Sequence, residues 1–241
     1  NIALDCANGS ASVCAKDIFT ALGARCYMLS DTPDGVNINL HCGSTHPEEL
    51  MKFVKDNKLD LGLAFDGDAD RMLAVDENGE LVDGDKIIAI CAKQMKDAGE
   101  LAKNTAVVTV MSNMGFFKFC EEAQINCAKT AVGDRYVLEK MLADGYNIGG
   151  EQSGHVIFLD YATTGDGELT GVQLLKTVVK SGKKLSELAE IMTVYPQVLI
   201  NVQVTPEGKQ KYNNDEYIIS AVQQAAVSYT HLRAHETPEH L

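Results

Sequence analysis

Short apolar runs bounded by turn residues punctuate this chain, and between them apolar positions recur at helical spacing. Ile2 to Asp5, Arg25 to Leu29, Leu61 to Phe65 and Met72 to Val75 are brief and aliphatic, and each predicts a strand. Between the first two, Val13, Cys14, Ile18, Ala21 and Leu22 share one helical face, and Gly23 is placed to end that helix. Pro47, Glu48 and Glu49 open a second helix whose stripe is Leu50, Phe53 and Val54. Strand, helix, strand, helix, strand predicts an α/β domain with a largely parallel sheet. In such sheets, sites form beyond the carboxyl ends of the strands.

Asn78-Gly79 between apolar runs is a strong hairpin signal, and it sets the end of a first domain at 1–78. Beyond it, Asp85 is expected to cap a helix carrying Ile87, Ile88, Cys91 and Met95. Strands are predicted from Ala106 to Met111, Ile125 to Lys129, Tyr146 to Gly149 and His155 to Leu159. Helices are predicted from Gly115 to Ala123, from Asp134 with Val137, Leu138, Met141 and Leu142 inward, from Asp166 to Lys180, and across Leu188 and Ile191. This makes a second α/β domain at 79–194. The alternation of Val198, Ile200, Val202 and Val204, then a helix from Asp215 to Ala226, suggests the start of a third at 195–227. The segment 228–241 holds three of the six histidines, lacks periodicity and reads as a non-native tail. The first strand is already under way at Ile2, so the chain reads as a piece of a longer protein.

Chemistry concentrates where two predicted strands meet, at Asp66-Gly67-Asp68-Ala69-Asp70-Arg71. Three carboxylates at alternate positions repel one another, by about 4 kcal/mol per pair at 4 Å in a partly buried site. Gly67 and Ala69 let the loop curl so that the carboxylates converge. Oxygen-only ligands suit a hard cation, and a few carboxylates with room for a phosphate are the style of Mg²⁺. Asp66, Asp68, Asp70 and Glu77 also match positions 1, 3, 5 and 12 of a calcium loop. Arg71 stands where that loop needs glycine, which excludes it.

Composition narrows the partners. A net charge of −13 without a basic patch argues against nucleic acid, and no apolar run approaches the ~20 residues that span a bilayer. Seven singly scattered cysteines without a C-x-x-C pair suggest reduced thiols and a cytoplasmic location.

A second cluster, Gly150-Glu151-Gln152-Ser153-Gly154-His155, lies between two predicted strands. Its glycines allow a ligand to approach the backbone, Glu151 and Ser153 can hydrogen-bond hydroxyls, and His155 can exchange a proton near neutrality. With the acidic loop, this segment resembles the α-D-phosphohexomutase superfamily, whose metal loop has the form Asp-Gly-Asp-x-Asp-Arg and whose sugar loop has the form Gly-Glu-x-Ser-Gly-His. Ala69 and Gln152 are similar to the amino-sugar branch of that family. So are Pro33 to Asn39, Cys42 to Glu48, Thr130 to Val137 and Phe158 to Gly167.

The resemblance implies two consecutive α/β/α domains of a four-domain enzyme, the second and third, with the start of the fourth. It implies interconversion of glucosamine 6-phosphate and glucosamine 1-phosphate through a phosphoserine and a bisphosphate. Mg²⁺ would sit on Asp66, Asp68 and Asp70, with Arg71 and His155 as catalytic residues. Gly150, Glu151, Ser153, Asp134 and Arg135 would line the sugar-phosphate site. The serine loop and the phosphate clamp of the family lie in domains this chain lacks, which are its implied partners, and the resemblance leaves room for a homodimer. Three alternatives stand beside it: a phosphomannomutase/phosphoglucomutase, a non-catalytic metal-stabilised sugar-phosphate module, and an aspartyl-phosphate phosphatase.

Overall fold

The computed structural model describes residues 1–198, 203–211 and 214–228. The first sheet contains β1 (Ile2–Asp5), β2 (Cys26–Leu29), β3 (Leu61–Phe65), β4 (Met72–Asp76) and β5 (Leu81–Val82), in the order β2-β1-β3-β4-β5. β1 runs parallel to β2 and β3, whereas β4 and β5 turn back antiparallel. Alternation along β3 sorts the two faces. Leu61, Leu63 and Phe65 enter the main core, and Gly62 and Ala64 face α2 (Glu48–Asn57). A Cβ on Gly62 would lie 2.7 Å from Val54, so glycine is what lets that helix close on the sheet.

The second sheet has the order β7-β6-β8-β9, from β6 (Thr105–Thr109), β7 (Asn126–Thr130), β8 (Ile148–Gly150) and β9 (Val156–Phe158). Only the β8–β9 pairing is antiparallel. Val107 and Ile157 pack under α5 (Asp134–Asp144), while Ala106, Val108, Val156 and Phe158 face the other way. On that side they share one core with Leu63, Phe65 and Met72 of the first sheet and with α3 (Gly84–Asp97) and α4 (Met114–Glu122). The long helix α6 (Gly167–Ser181) packs against elements of both sheets, including β4, β9 and α1 (Ala11–Ala21), and α7 (Leu185–Ala189) follows it. Residues 1–194 are thus one compact unit. All seven cysteines are free.

Several expectations shift. The Asn78-Gly79 turn does form a hairpin, yet its second arm pairs with β4, so the first sheet runs on to Val82 instead of stopping at 78. On α1 the buried residues are Ala11, Ala15 and Phe19, while Val13 is 83% exposed and Leu22 is also exposed. Phe19 decides the orientation, because its ring packs 6.4 Å from Phe65 and the two alanines permit that close approach. On α5, Val137 and Met141 are buried but Leu142 is exposed.

The cap of α3 is Asp83, whose side chain accepts from the Lys86 N–H, whereas Asp85 is wholly buried and accepts from the Asn113 N–H at 2.6 Å. Burial, with Asp83 nearby, pushes the Asp85 carboxyl up to about 6. The folded chain therefore holds this proton more tightly than the unfolded chain, and the stability Asp85 contributes is lost as pH rises from about 4 through 6. Asp85→Asn removes that dependence. Between pH 4 and 8 the stability difference is expected to move towards the variant by about 1–3 kcal/mol, measured by urea denaturation.

The second unit begins at Tyr195 and contains α8 (Pro206–Lys211) and α9 (Glu216–Ser228). Asp215 caps α9, its carboxylate accepting from the N–H groups of Tyr217 and Ile218. The strand expected over 198–204 falls largely outside the described residues, as does nearly all of the tail. Among the described residues no helix is long and apolar enough to cross a membrane.

Candidate active site

The β3–β4 connection folds back over one tight turn. Asp66 Oδ1 accepts from the Arg71 N–H at 3.1 Å, and the Asp66 carbonyl accepts from Ala69 N–H at 3.1 Å. Ala69 has φ +58°, a left-handed conformation that costs a non-glycine residue roughly 1–2 kcal/mol. The turn gathers the acidic side chains: Asp66, Asp68 and Asp70 each bring one carboxylate oxygen within 4.8 Å of the others. Arg71 Nε lies 3.7 Å from Asp70 Oδ1 and 4.0 Å from Asp66 Oδ2. Burial pushes the Asp66 carboxyl up to about 6; the charges of Asp70 and Asp68 add to this, and the Arg71 N–H and guanidinium oppose it. Asp70 Oδ1 is buried with no hydrogen-bond partner. Crowded carboxylates with an unsatisfied buried oxygen suit a hard divalent cation, so the residues fit Mg²⁺.

Neighbouring loops hold this turn from three sides. The Ser10 N–H donates to the Gly67 carbonyl at 2.9 Å, the Gly167 N–H at the start of α6 donates to the Ala69 carbonyl at 2.8 Å, and the Ser44 N–H donates to the Phe65 carbonyl at 2.8 Å. Asp5, at the end of β1, is 1% exposed and accepts from the N–H groups of Ala7 (3.0 Å) and Gly43 (2.8 Å). Sequence reasoning missed Asp5 as a supporting residue. The signal was a carboxylate ending an otherwise apolar strand.

The β8–β9 connection is the glycine-rich loop. Within it the Glu151 N–H donates to the His155 carbonyl and the Gly154 N–H to the Glu151 carbonyl, both at 3.0 Å. Glu151 Oε1 accepts from the Gly133 N–H at 3.0 Å. Gln152 is held at the start of α3, its Nε2 donating to Asp83 Oδ2 at 3.1 Å and its carbonyl accepting from Gly84 N–H at 3.0 Å. Ser153 is exposed at the tip.

The two loops meet. The Met72 N–H donates to the Gly154 carbonyl at 3.1 Å, and His155 Nδ1 lies 3.1 Å from Asp70 Oδ2. Asp134, exposed at the start of α5, places Oδ2 3.9 Å from His155 Nε2. The structure thus gathers Asp66, Asp68, Asp70, Arg71, Asp134 and His155. Arg135 instead pairs along its own helix, Nε donating to Glu139 Oε1 at 2.8 Å. Gly150, expected in the sugar site, is buried in β8, where an added Cβ would lie 2.4 Å from the His155 carbonyl oxygen. Its place is set by backbone packing.

Two α/β/α layers bringing an acidic loop against a glycine-rich loop define a phosphohexomutase-type fold and site, and comparison with known proteins agrees. Residues 1–79 match the family model described as phosphoglucomutase/phosphomannomutase, alpha/beta/alpha domain II, and residues 83–195 match the corresponding domain III. The chain belongs to the phosphoglucomutase/phosphomannomutase family. It is 58% identical over 223 residues to a phosphoglucosamine mutase of Brevibacillus brevis, covering 92% of this chain and 49% of that protein. To the phosphoglucosamine mutase of Streptococcus sanguinis it is 58% identical over 211 residues, covering 88% of this chain and 47% of the relative. Among solved structures, a phosphoglucomutase/phosphomannomutase family protein from Burkholderia thailandensis superposes with TM-score 0.73 at 26% identity, covering 89% of this chain and 47% of that one. The chain spans about half the length of the curated relatives it matches.

Proposed function

We propose that this chain carries the metal-binding and sugar-holding domains of a phosphoglucosamine mutase. The whole protein would interconvert glucosamine 6-phosphate and glucosamine 1-phosphate through a phosphoserine and a bisphosphate, in the cytoplasm. The observation that carries this reading is the meeting of the acidic loop with the glycine-rich loop, where Asp70 faces His155 at 3.1 Å. Phosphoryl transfer depends mainly on positioning and charge neutralisation. Asp66, Asp68 and Asp70 would hold Mg²⁺, which supplies positive charge beside a phosphorylated serine of the missing domain. Arg71, beside both Asp66 and Asp70, contributes a fixed cation to the same place. Glu151 and Ser153 would accept from and donate to sugar hydroxyls, and Asp134 would close the pocket near His155. Arg135, at the start of α5 beside Asp134, would line the same pocket while paired with Glu139 through Nε.

The names of the relatives favour glucosamine over mannose or glucose as the sugar. The test is a chimera in which residues 1–226 replace the matching half of the Brevibacillus brevis relative. Turnover of glucosamine 6-phosphate well above that of glucose and mannose phosphates supports the proposal, and preference for either of the others overturns the substrate. Without the serine-bearing domain, the 241-residue chain alone is expected to show no turnover of glucosamine 6-phosphate in a coupled assay with Mg²⁺.

A further inference from the structure

His155 has both ring nitrogens committed. The Gly165 N–H donates to Nε2 at 3.1 Å, so Nε2 carries the lone pair. The proton of the neutral ring then sits on Nδ1, which faces Asp70 Oδ2 at 3.1 Å. The ring is 2% exposed, and a Cβ on Gly165 would lie 2.5 Å from Nε2 and Cε1, so the backbone closes that edge. A histidine that exchanges protons with a ligand needs one nitrogen open to it. Here neither is.

Asp70 is the complement. One carboxylate oxygen, Oδ2, faces the imidazole, while the other, Oδ1, is buried without a hydrogen bond and lies 3.7 Å from Arg71 Nε; one of the two is within 4.8 Å of an oxygen from each of Asp66 and Asp68. We propose that His155 is a positioning residue for the cation site: its Nδ1–H, presented from the glycine-rich loop of one domain, holds the carboxylate of Asp70 in the other domain so that its second oxygen, beside Arg71, stays clear of the imidazole and available to a cation. Ligand carboxylates depend on such outer partners, whose loss typically costs 10–100-fold in metal affinity. The contact also joins the sugar-holding loop to the metal loop, so disturbing either displaces the other. The inference rests on the reading of Asp66, Asp68 and Asp70 as metal ligands.

Mn²⁺ titration of the 241-residue chain, followed by electron paramagnetic resonance, tests it together with ¹⁵N spectra of the imidazole. His155→Phe is expected to weaken Mn²⁺ binding by about 10–100-fold. His155→Asn, whose Nδ2–H can stand where Nδ1–H stood, is expected to restore most of the Mn²⁺ affinity that His155→Phe loses. The wild-type ring is expected to show the Nδ1–H tautomer. Unchanged Mn²⁺ binding by His155→Phe, or an Nε2–H tautomer, overturns the positioning role. His155→Asn with intact Mn²⁺ binding but turnover lost by a hundredfold or more assigns the residue to proton transfer instead. Wild-type protein that binds no Mn²⁺ sinks the metal reading itself, a result distinct from the other failures. Should His155→Phe lose its cooperative thermal transition, the asparagine variant and the tautomer decide.

Discussion

Asp66→Asn is expected to weaken Mg²⁺ and Mn²⁺ binding by about a hundredfold: one unit charge ~4 Å away is worth about 4 kcal/mol at an effective dielectric of 20, and about two-thirds of that gives two decades. The turn should survive the change, because the amide oxygen can still accept from the Arg71 N–H. Asp66 is the most buried of the three carboxylates, and burial, with the charges of Asp70 and Asp68 adding to it, pushes its carboxyl up to about 6. An ion must therefore displace a proton below that pH. Wild-type affinity is expected to fall through pH 6 by about tenfold per unit as this site protonates, and the variant should lack that step. The sign for stability follows from linkage. Without metal, the contribution of Asp66 is fully present below about pH 4 and lost as pH rises through 6, since the folded state binds this proton more tightly than the unfolded one. Saturating Mg²⁺ binds the ionised form and opposes that loss. Calorimetric titration from pH 5 to 8 and urea denaturation with and without Mg²⁺ measure both effects.

Gly154→Ala is expected to cost about 2–4 kcal/mol of stability, the sum of a disfavoured backbone conformation and an overpacked contact. Gly154 has φ +94°, and a Cβ there would lie 2.5 Å from the Met72 carbonyl oxygen. The residue cannot retreat without breaking the Met72 N–H bond to its own carbonyl, which is where the two loops touch. Gly182→Ala is the control: φ is +66°, nothing lies within 4 Å of the added Cβ, and only the backbone cost of roughly 1–2 kcal/mol remains. Urea denaturation of the two variants against wild type separates strain from the clash. Gly154→Ala should also lower Mn²⁺ affinity, while Gly182→Ala should not.

Much of the architecture was legible because period and punctuation act locally. Apolar runs bounded by turn residues marked β1, β3, β4 and β6 to within a residue or two, and Asn78-Gly79 marked a hairpin that does form. The turn alone did not say which sheet would claim its second arm. Leu81 and Val82 joined the first because β4 offered an open edge. Helical faces were less secure. On α1 the heavier apolar side chains suggested one stripe, but the buried one is lined by Ala11, Ala15 and Phe19, since close approach to Phe65 outweighs the size of Val13 and Leu22. Likewise two nearby acids, Asp83 and Asp85, both suit a cap, and only the surrounding core decided which would be exposed to Lys86 and which buried against Asn113.

For the site the division is sharper. The sequence by itself determined that three carboxylates would converge on one turn and that a glycine-rich turn would follow elsewhere, because both depend on residues adjacent in the chain. Only the tertiary structure decided that His155 would reach Asp70, 85 residues away along the chain, that Asp134 would lie near His155, and that the Gly154 carbonyl would meet the Met72 N–H. Such pairings depend on how two sheets share one core, and side-chain patterning within either sheet carries no information about the distance between their loops.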